Sequence, residues 1–573
     1  MTDPRSEDMV TMNIIDSSMV SICREMGIVL MKTSYSTIFN EGLDFTCALT
    51  DTKGNMIAVA EFCPAQIGGM PLLIKTCAQE IPLDTLDEGD VIIHNDPYRG
   101  GLHVPEHTLF KPFYVDGELM GFCVAIGHVA EVGGMVPGGF AGEATEIFHE
   151  GFRMPPVKIR KRNKDVPEVW KLWLANVRTP RHNHGDLRAM IGALDTGEKR
   201  IAELVKKYGK AVFRKTCDDL MDYAERRMRS EIESFPDGHY DFEDYVENDG
   251  IEDKPYRLYV KVHVQGDEMV VDFTGSSPQA KGPINATLGV AWSSTYNAIF
   301  HLTDPTIPKN SGAFRPIRVL AAPGSVTNVD YPAPEVAGNT ETHPRLAAIV
   351  IGALSKCLPE RAMASESGTG GNFVFGGQHP DNDEYYACYD LMSGGWGGRS
   401  YADGNDAVIC INGNCRFIPT EVFETRFPFV VENFALLPDS AGAGKFRGGL
   451  GFQKTLRSAA PEITASQCSD RHKIKTWALF GGGEGRNGAT LVQQSGRKDW
   501  RTVVEAYGKR SSSKFSNIML RNGDRVRLEV SGGGGYGEPK ARERSMIEED
   551  VREGYVTQSE ARRLYGYTAG GDD

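Results

Sequence analysis

Groups that can bind a metal or transfer protons are concentrated in the segment His94-Asn-Asp-Pro-Tyr-Arg-Gly-Gly-Leu-His-Val-Pro-Glu-His107. It offers three imidazoles and two carboxylates, and one further imidazole, His128, follows. Mixed imidazole and carboxylate ligands suit Zn, Mn or Fe better than Ca or Mg. The segment therefore indicates a metal site. Acid/base chemistry without a metal remains an alternative, because His titrates near neutrality, and so do histidines that only hold structure.

Two predicted strands position these groups. Asp90–His94 reads as a short strand, and the nearly continuous apolar run Leu119–His128 predicts a strand buried on both faces. Each ends in a histidine. Pro105 disfavours a helix in the intervening segment, so we expect His103 and Glu106 in a loop. The candidate catalytic residues are His94, Asp96 and His128.

Helical and β-type patterns occur in separate stretches, which predicts an α+β, multi-domain fold with mixed helices and Gly-rich β-sheet segments. A helical pattern covers Met9–Ser36, and Phe45–Leu49 with Met56–Ala60 predicts a hairpin. We predict three domains. They are an N-terminal α+β domain (1–233) with the candidate metal site, a middle α+β domain (234–370), and a Gly-rich, β-rich region (371–573) ending in short helices.

The chain has 573 residues and a formal charge of −14, without a large basic block. Nucleic acid and anionic membranes are therefore disfavoured as partners. The polar start Met1–Asp8 does not resemble a signal peptide, and no apolar run is long enough for a membrane helix. The 11 cysteines form no C-x-x-C pair, and Cys63, Cys123 and Cys388 are predicted to be buried. A cytoplasmic location is expected.

Glycine is abundant, with 64 residues and runs at Gly368–Gly371, Gly394–Gly398, Gly481–Gly485 and Gly532–Gly535. Such runs predict tight turns or close approach of backbone to backbone or ligand. No phosphate-binding G-x-x-x-x-G-K-[ST] loop and no G-x-S-x-G nucleophile elbow is present. The sequence thus offers no nucleotide site and no serine-hydrolase site of its own.

The chain resembles the hydantoinase B / 5-oxoprolinase C-terminal family, which includes caprolactamase β subunits and acetone and acetophenone carboxylase subunits. The resemblance covers almost the whole chain. Besides the His94–Glu106 string, it rests on motifs including Glu41-x-x-Asp-Phe-x-Cys-Ala-Leu49, Glu150-Gly-Phe-Arg-Met-Pro-Pro156, Asn176-Val-Arg-Thr-Pro180, Gly338-Asn-Thr-Glu-Thr342 and Arg447-Gly-Gly-Leu-Gly451.

The resemblance implies a hydantoinase A-like partner subunit that binds ATP and Mg and phosphorylates a small amide or ketone substrate. It also implies a metal held by Glu41, His103, Glu106 and His128. Two positions depart from the family pattern, because Glu106 replaces an Asp and Gln66 replaces a His. Since Glu is also a competent ligand, the first departure is expected to alter the geometry of the site more than its existence.

The leading hypothesis is the B-type subunit of an ATP-dependent cyclic-amide hydrolase, acting on a hydantoin, 5-oxoproline or a lactam within a hetero-oligomer. The alternatives are a subunit of an ATP-dependent ketone carboxylase and a non-catalytic scaffold subunit.

Overall fold

The computed structural model describes residues 4–568, and side chains from residue 9 onward. Residues 1–3 of the polar start Met1–Asp8 lie outside this range. Among the helices described, none combines the length and apolarity needed to cross a bilayer. The helices are α1 Pro4–Thr33, α2 Thr37–Asn40, α3 Ala65–Glu80, α4 Pro167–Leu174, α5 Pro180–Tyr208, α6 Lys210–Glu233, α7 Leu288–Leu302, α8 Ser311–Phe314, α9 His343–Leu354, α10 Thr420–Arg426, α11 Val503–Tyr507, α12 Arg544–Arg552 and α13 Gln558–Glu560.

The strands form four sheets. They are β1 Phe45–Thr50, β2 Met56–Val59, β3 Val91–His94, β4 Glu106–Val115, β5 Glu118–His128, β6 Val157–Lys161, β7 Lys164–Asp165, β8 Gly238–Val246, β9 Tyr256–Gln265, β10 Glu268–Asp272, β11 Ile317–Leu320, β12 Asn372–Gln378, β13 Tyr385–Asp390, β14 Phe429–Leu436, β15 Phe452–Ser458, β16 Glu462–Cys468, β17 Ala489–Gln493, β18 Arg501–Thr502, β19 Lys514–Arg521 and β20 Arg525–Glu529.

The first sheet has seven antiparallel strands in the order β2-β1-β5-β4-β3-β6-β7. Helices α1 and α5 pack together and cover it. The predicted hairpin is present as β1 and β2. Strand β5 is buried along nine consecutive residues, as its apolar run indicated.

The strand β4 was not predicted, because prolines at 105 and 112 weaken its β pattern. Pro105 does prevent a helix, and His103 lies in a loop. Glu106, however, begins β4 and does not lie in the loop as expected. A second prediction was wrong in detail. The helical pattern Asn176–Tyr223 was expected to break near Pro180, but α5 begins there and the break falls at Gly209, whose φ is +87°. Proline fits the first turn of a helix, whereas glycine tolerates a positive φ.

The remaining sheets follow in chain order. Strands β8–β11 form a four-stranded sheet against which α9 packs. The C-terminal region contains a four-stranded sheet, β13-β12-β16-β19, and a five-stranded sheet, β14-β15-β20-β17-β18. The fold is α+β, as predicted. The boundaries proposed at 233/234 and 370/371 stay predictions.

The glycine runs of the C-terminal region pack backbone against backbone. Amide groups of one run donate to carbonyls of another, as in Gly398 N to Gly534 O (2.8 Å) and Gly535 N to Gly483 O (2.9 Å). A Cβ at Gly395 would lie 1.8 Å from the carbonyl oxygen of Gly449, so no larger residue fits. This glycine layer fulfils the expectation of close backbone approach and is built without helix or strand.

A buried ion cluster joins the middle and C-terminal regions. Arg345 on α9 contacts Asp470 at 2.9 Å, and Arg471 contacts Asp244 on β8 at 2.6 Å. These four side chains are at most 5% exposed. Although Asp470 and Arg471 are adjacent and of opposite charge, neither serves as the other's partner in these two contacts. Each instead pairs with a residue far away along the chain.

Candidate metal centre

A small cavity of about 30 Å³ lies where the first sheet meets the C-terminal region. Its walls include Asp44, His103 and Glu106. The sheet register explains this convergence, because Glu106 at the start of β4 pairs with His128 at the end of β5. Asp44 precedes β1 and accepts, through its carbonyl, the backbone N–H of His128 (3.0 Å). The volume suits one ion or one water molecule.

The two carboxylates of the cavity are held by side-chain amides. Nε2 of Gln66 lies 3.4 Å from both Asp44 Oδ1 and Glu106 Oε1, and Nδ2 of Asn339 donates to Glu106 Oε1 at 3.1 Å. Burial, with Glu106 nearby, raises the pKa of Asp44 to about 7, although His103 partly opposes this. A cation between the carboxylates would relieve their repulsion and favour the ionised form of Asp44.

His103 is oriented toward the cavity by a backbone carbonyl. Its Nδ1 lies 3.1 Å from Val336 O, and since a carbonyl only accepts, this nitrogen carries the proton in the neutral ring. Nε2 then keeps its lone pair and lies 3.5 Å from Glu106 Oε1. A carbonyl behind the imidazole is the usual support of a metal-binding histidine.

Behind this support lies Glu150, which is fully buried. Its Oε1 accepts the backbone N–H groups of Glu335 and Val336, at 2.8 and 2.9 Å. Glu150 thereby fixes the segment that presents the Val336 carbonyl to His103.

His128 contacts His103 at the edge of the cavity but does not line it. Its Nδ1 lies 3.3 Å from His103 Nε2, while its Nε2 is buried without a hydrogen-bond partner. The ring lies between Phe140 and Tyr389, with centroid distances of 5.6 and 4.4 Å. This burial, with two imidazoles nearby, lowers the pKa of His128 well below its ordinary value and keeps the ring neutral, as a metal ligand must be.

Three residues predicted for the site lie elsewhere. Glu41 ends α2 and does not line the cavity, because the chain reverses at Gly42 and Leu43 and brings Asp44 there instead. Asp96 caps the turn Pro97–Arg99 and pairs with Arg99, so its carboxylate has a structural role. His94 is fully buried with both ring nitrogens unpartnered, and burial beside His107 lowers its pKa to about 3. It does not line the cavity.

Two thiols that no sequence pattern places there also face the cavity. Within the described residues, Asp44, Cys63 and Cys415 form the one set of three potential ligands whose atoms lie within 4.8 Å of one another. His103, Glu106 and His128 do not form such a set, because His103 stands between the other two. The prediction that Cys63 is buried is confirmed, as it is for Cys123 and Cys388.

The ligands present fit a divalent transition metal. They combine two carboxylates, an imidazole nitrogen with its lone pair free, and a neutral imidazole with a buried, unpartnered nitrogen. Asp44 and Asn339 escaped prediction, although both stand inside motifs that carry the family resemblance. Cys63 and Cys415 are 352 positions apart, and no local pattern connects them.

Comparisons with known proteins agree with this architecture. A putative D-/L-hydantoinase of Pseudomonas sp. strain NS671, represented by its B-type subunit, is 32% identical, with 99% of this chain and 96% of that protein covered. The β subunit of the caprolactamase of Pseudomonas jessenii is also 32% identical, over 99% and 97%. The crystal structure of the ATP-dependent caprolactamase from Pseudomonas jessenii superposes with a TM-score of 0.90 at 30% identity, covering 100% of this chain and 98% of that chain. The family model described as Hydantoinase B/oxoprolinase matches residues 8–539, and the chain belongs to that family.

Proposed function

We propose that the chain is the B-type subunit of an ATP-dependent cyclic-amide hydrolase, opening a hydantoin, 5-oxoproline or lactam ring. The observation that carries this proposal is the meeting of Asp44, His103 and Glu106 around one buried cavity, with His128 beside it. Membership of the Hydantoinase B/oxoprolinase family and the likeness to caprolactamase support it.

Asp44, His103, Glu106 and His128 would hold a divalent transition metal, namely Zn, Mn or Fe. Such an ion polarises a bound oxygen and lowers the pKa of bound water. The chain itself supplies the orientation. Gln66 and Asn339 hold the carboxylates, the Val336 carbonyl fixes the tautomer of His103, and the aromatic rings around His128 exclude water.

The ATP step belongs, in this proposal, to a second subunit of the hydantoinase A type, which also binds Mg. An unstrained amide is a poor electrophile, and phosphorylation of its oxygen creates a far better leaving group. The enclosed site of this chain would then direct water against the phosphorylated intermediate. The relatives named as subunits support a hetero-oligomeric arrangement.

The test combines metal analysis with activity of the complex. We expect about one divalent transition metal per purified chain, and its loss in the double variant His103→Ala plus His128→Ala. The matched control replaces His239 and His263, which stack on each other at 4.1 Å in the middle sheet, and should retain the metal.

Substrate class is tested by ATP hydrolysis in the presence of lactams, hydantoins, 5-oxoproline, or ketones with bicarbonate. Turnover with a cyclic amide supports the proposal, whereas turnover only with a ketone and bicarbonate would identify a carboxylase. Full activity of the complex carrying the double histidine variant would assign this chain a scaffold role.

A further inference from the structure

A second, larger cavity adjoins the candidate metal centre. This chamber has a volume of about 450 Å³, within the usual range for small-molecule sites. It lies among the start of α3, helix α7 and segments 304–310 and 411–414. Its apolar walls are mainly aromatic, from Phe62, Tyr296, Phe300, Phe314 and Trp396.

The wall between the two cavities is one residue thick. Along 60–65, Phe62 and Pro64 face the chamber while Cys63 and Ala65 face the metal cavity. Segment 409–415 alternates in the same way, and Gly413 lines both spaces. The two segments are joined by a hydrogen bond from Ala65 N to Asn412 O (2.8 Å). The chamber is thus the larger space nearest to the proposed ligands.

Charged groups at the chamber offer no site for an anion. Glu61 is already paired with Arg24, and Asp16 adds a second carboxylate. The one cation of the described lining, Lys309, donates to the Pro305 carbonyl at 2.5 Å and has its pKa lowered by burial. No arginine is among the described residues of the lining. A ligand carboxylate would therefore meet two like charges and no guanidinium.

Uncharged hydrogen-bonding groups are present instead. Nδ2 of Asn414 donates to Glu61 O at 3.1 Å, and this side chain also carries an amide oxygen that can accept. His301 lies 2.8 Å through Nδ1 from Asn297 O, so that nitrogen donates and Nε2 can accept. Burial lowers the pKa of His301, which keeps the ring neutral. Such groups match the N–H and C=O of a neutral amide.

A chain of hydrogen bonds connects the chamber with the metal centre. Nδ2 of Asn297 lies 3.4 Å from His343 Nε2, and Nδ1 of His343 lies 3.1 Å from Asn339 Oδ1. Asn339 Nδ2 in turn donates to Glu106 Oε1. Since an amide oxygen only accepts, every proton in this chain points from the chamber toward Glu106.

We propose that this chamber is the substrate site and that it accepts uncharged ring compounds of the lactam and hydantoin class in preference to ring carboxylates. The proposal rests on the proposed function and narrows its substrate class. Aromatic walls receive the ring, the neutral polar groups bind its amide, and the thin wall places the ligand beside the metal centre.

The test uses two ligands that differ only by a carboxylate, 2-pyrrolidinone and 5-oxoproline, titrated calorimetrically and by saturation-transfer NMR at pH 7 into the purified chain with any co-purifying partner. We expect 2-pyrrolidinone to bind at least about tenfold more tightly than 5-oxoproline. Ile67→Trp fills the chamber from α3 and should weaken 2-pyrrolidinone at least about tenfold. Ile67→Phe provides the same test with less bulk should the first variant fold poorly.

The matched control is Ser17→Trp, which adds an equal ring in the separate groove between α1 and α5 and should leave binding unchanged. Unaltered binding of 2-pyrrolidinone in the Ile67 variants, or equal affinity for 5-oxoproline, would overturn the proposal. Failure of the proposed function gives a different result, namely ligand bound in the chamber of a chain that holds no metal and supports no ATP-dependent ring opening.

Discussion

The buried ion cluster offers a quantitative test of how the middle and C-terminal regions are held together. Arg345 is fully buried and contacts Asp470 at 2.9 Å. It also donates to the carbonyls of Tyr245 (2.6 Å) and Gly368 (2.9 Å). The change Arg345→Met keeps the length of the side chain and removes the charge with all three contacts.

Breaking a buried ion pair from one side costs about 3–5 kcal/mol, because the remaining charge stays desolvated. Domains have only about 5–15 kcal/mol of stability, so a large share is lost. We expect urea denaturation, followed by tryptophan fluorescence and circular dichroism, to report a destabilisation of this size. An exposed pair provides the control. Arg162, paired with Asp87, is 75% exposed, and Arg162→Ala should cost less than about 1 kcal/mol. If Arg345→Met unfolds within about 1 kcal/mol of the unaltered chain, the cluster does not hold the regions together as described.

Three further predictions concern pH, packing and metal support. Burial raises the pKa of Glu366 from 4.5 to about 8, so its contribution to stability is present below pH 4.5 and lost as the pH rises through about 8. Glu366→Gln should reduce this fall, measured as Tm against pH, and an unchanged profile would contradict the assignment. Gly395→Ala should destabilise by about 3 kcal/mol in thermal or urea unfolding, whereas Gly192→Ala, with its nearest neighbour 3.9 Å away in α5, should be neutral or stabilising. Glu150→Gln should weaken metal retention against a chelator about tenfold with little change in fold, since one oxygen that holds the Val336 segment changes character. Equal retention would show that the carbonyl is held without it.

Much of the fold could be predicted because its signals are local. The apolar run of β5 and the helical period of α1 are properties of consecutive residues, and both elements lie close to the expected positions. Strand β4 was missed because its pairing with β5, and not its own composition, stabilises it.

The candidate site was predictable only in part. His103 and Glu106 are near neighbours, and their association with His128 follows from strands that end together. The choice between Glu41 and Asp44 depends on a turn in which Leu43 adopts a φ of +60°, which composition does not indicate. Cys415, Asn339 and His343 reach the region from far along the chain, so only the folded molecule reveals them.

The glycine layer has a consequence for how this molecule resists exchange with solvent. Amide hydrogens are ordinarily slow to exchange with deuterium inside helices and sheets, and quick in irregular segments. Here Gly398, Gly533 and Gly535 lie in irregular backbone, yet each donates to a carbonyl of a distant, buried segment. These loops should therefore be as protected as the strands around them, and they should lose that protection together, since releasing one run removes the acceptors of the next.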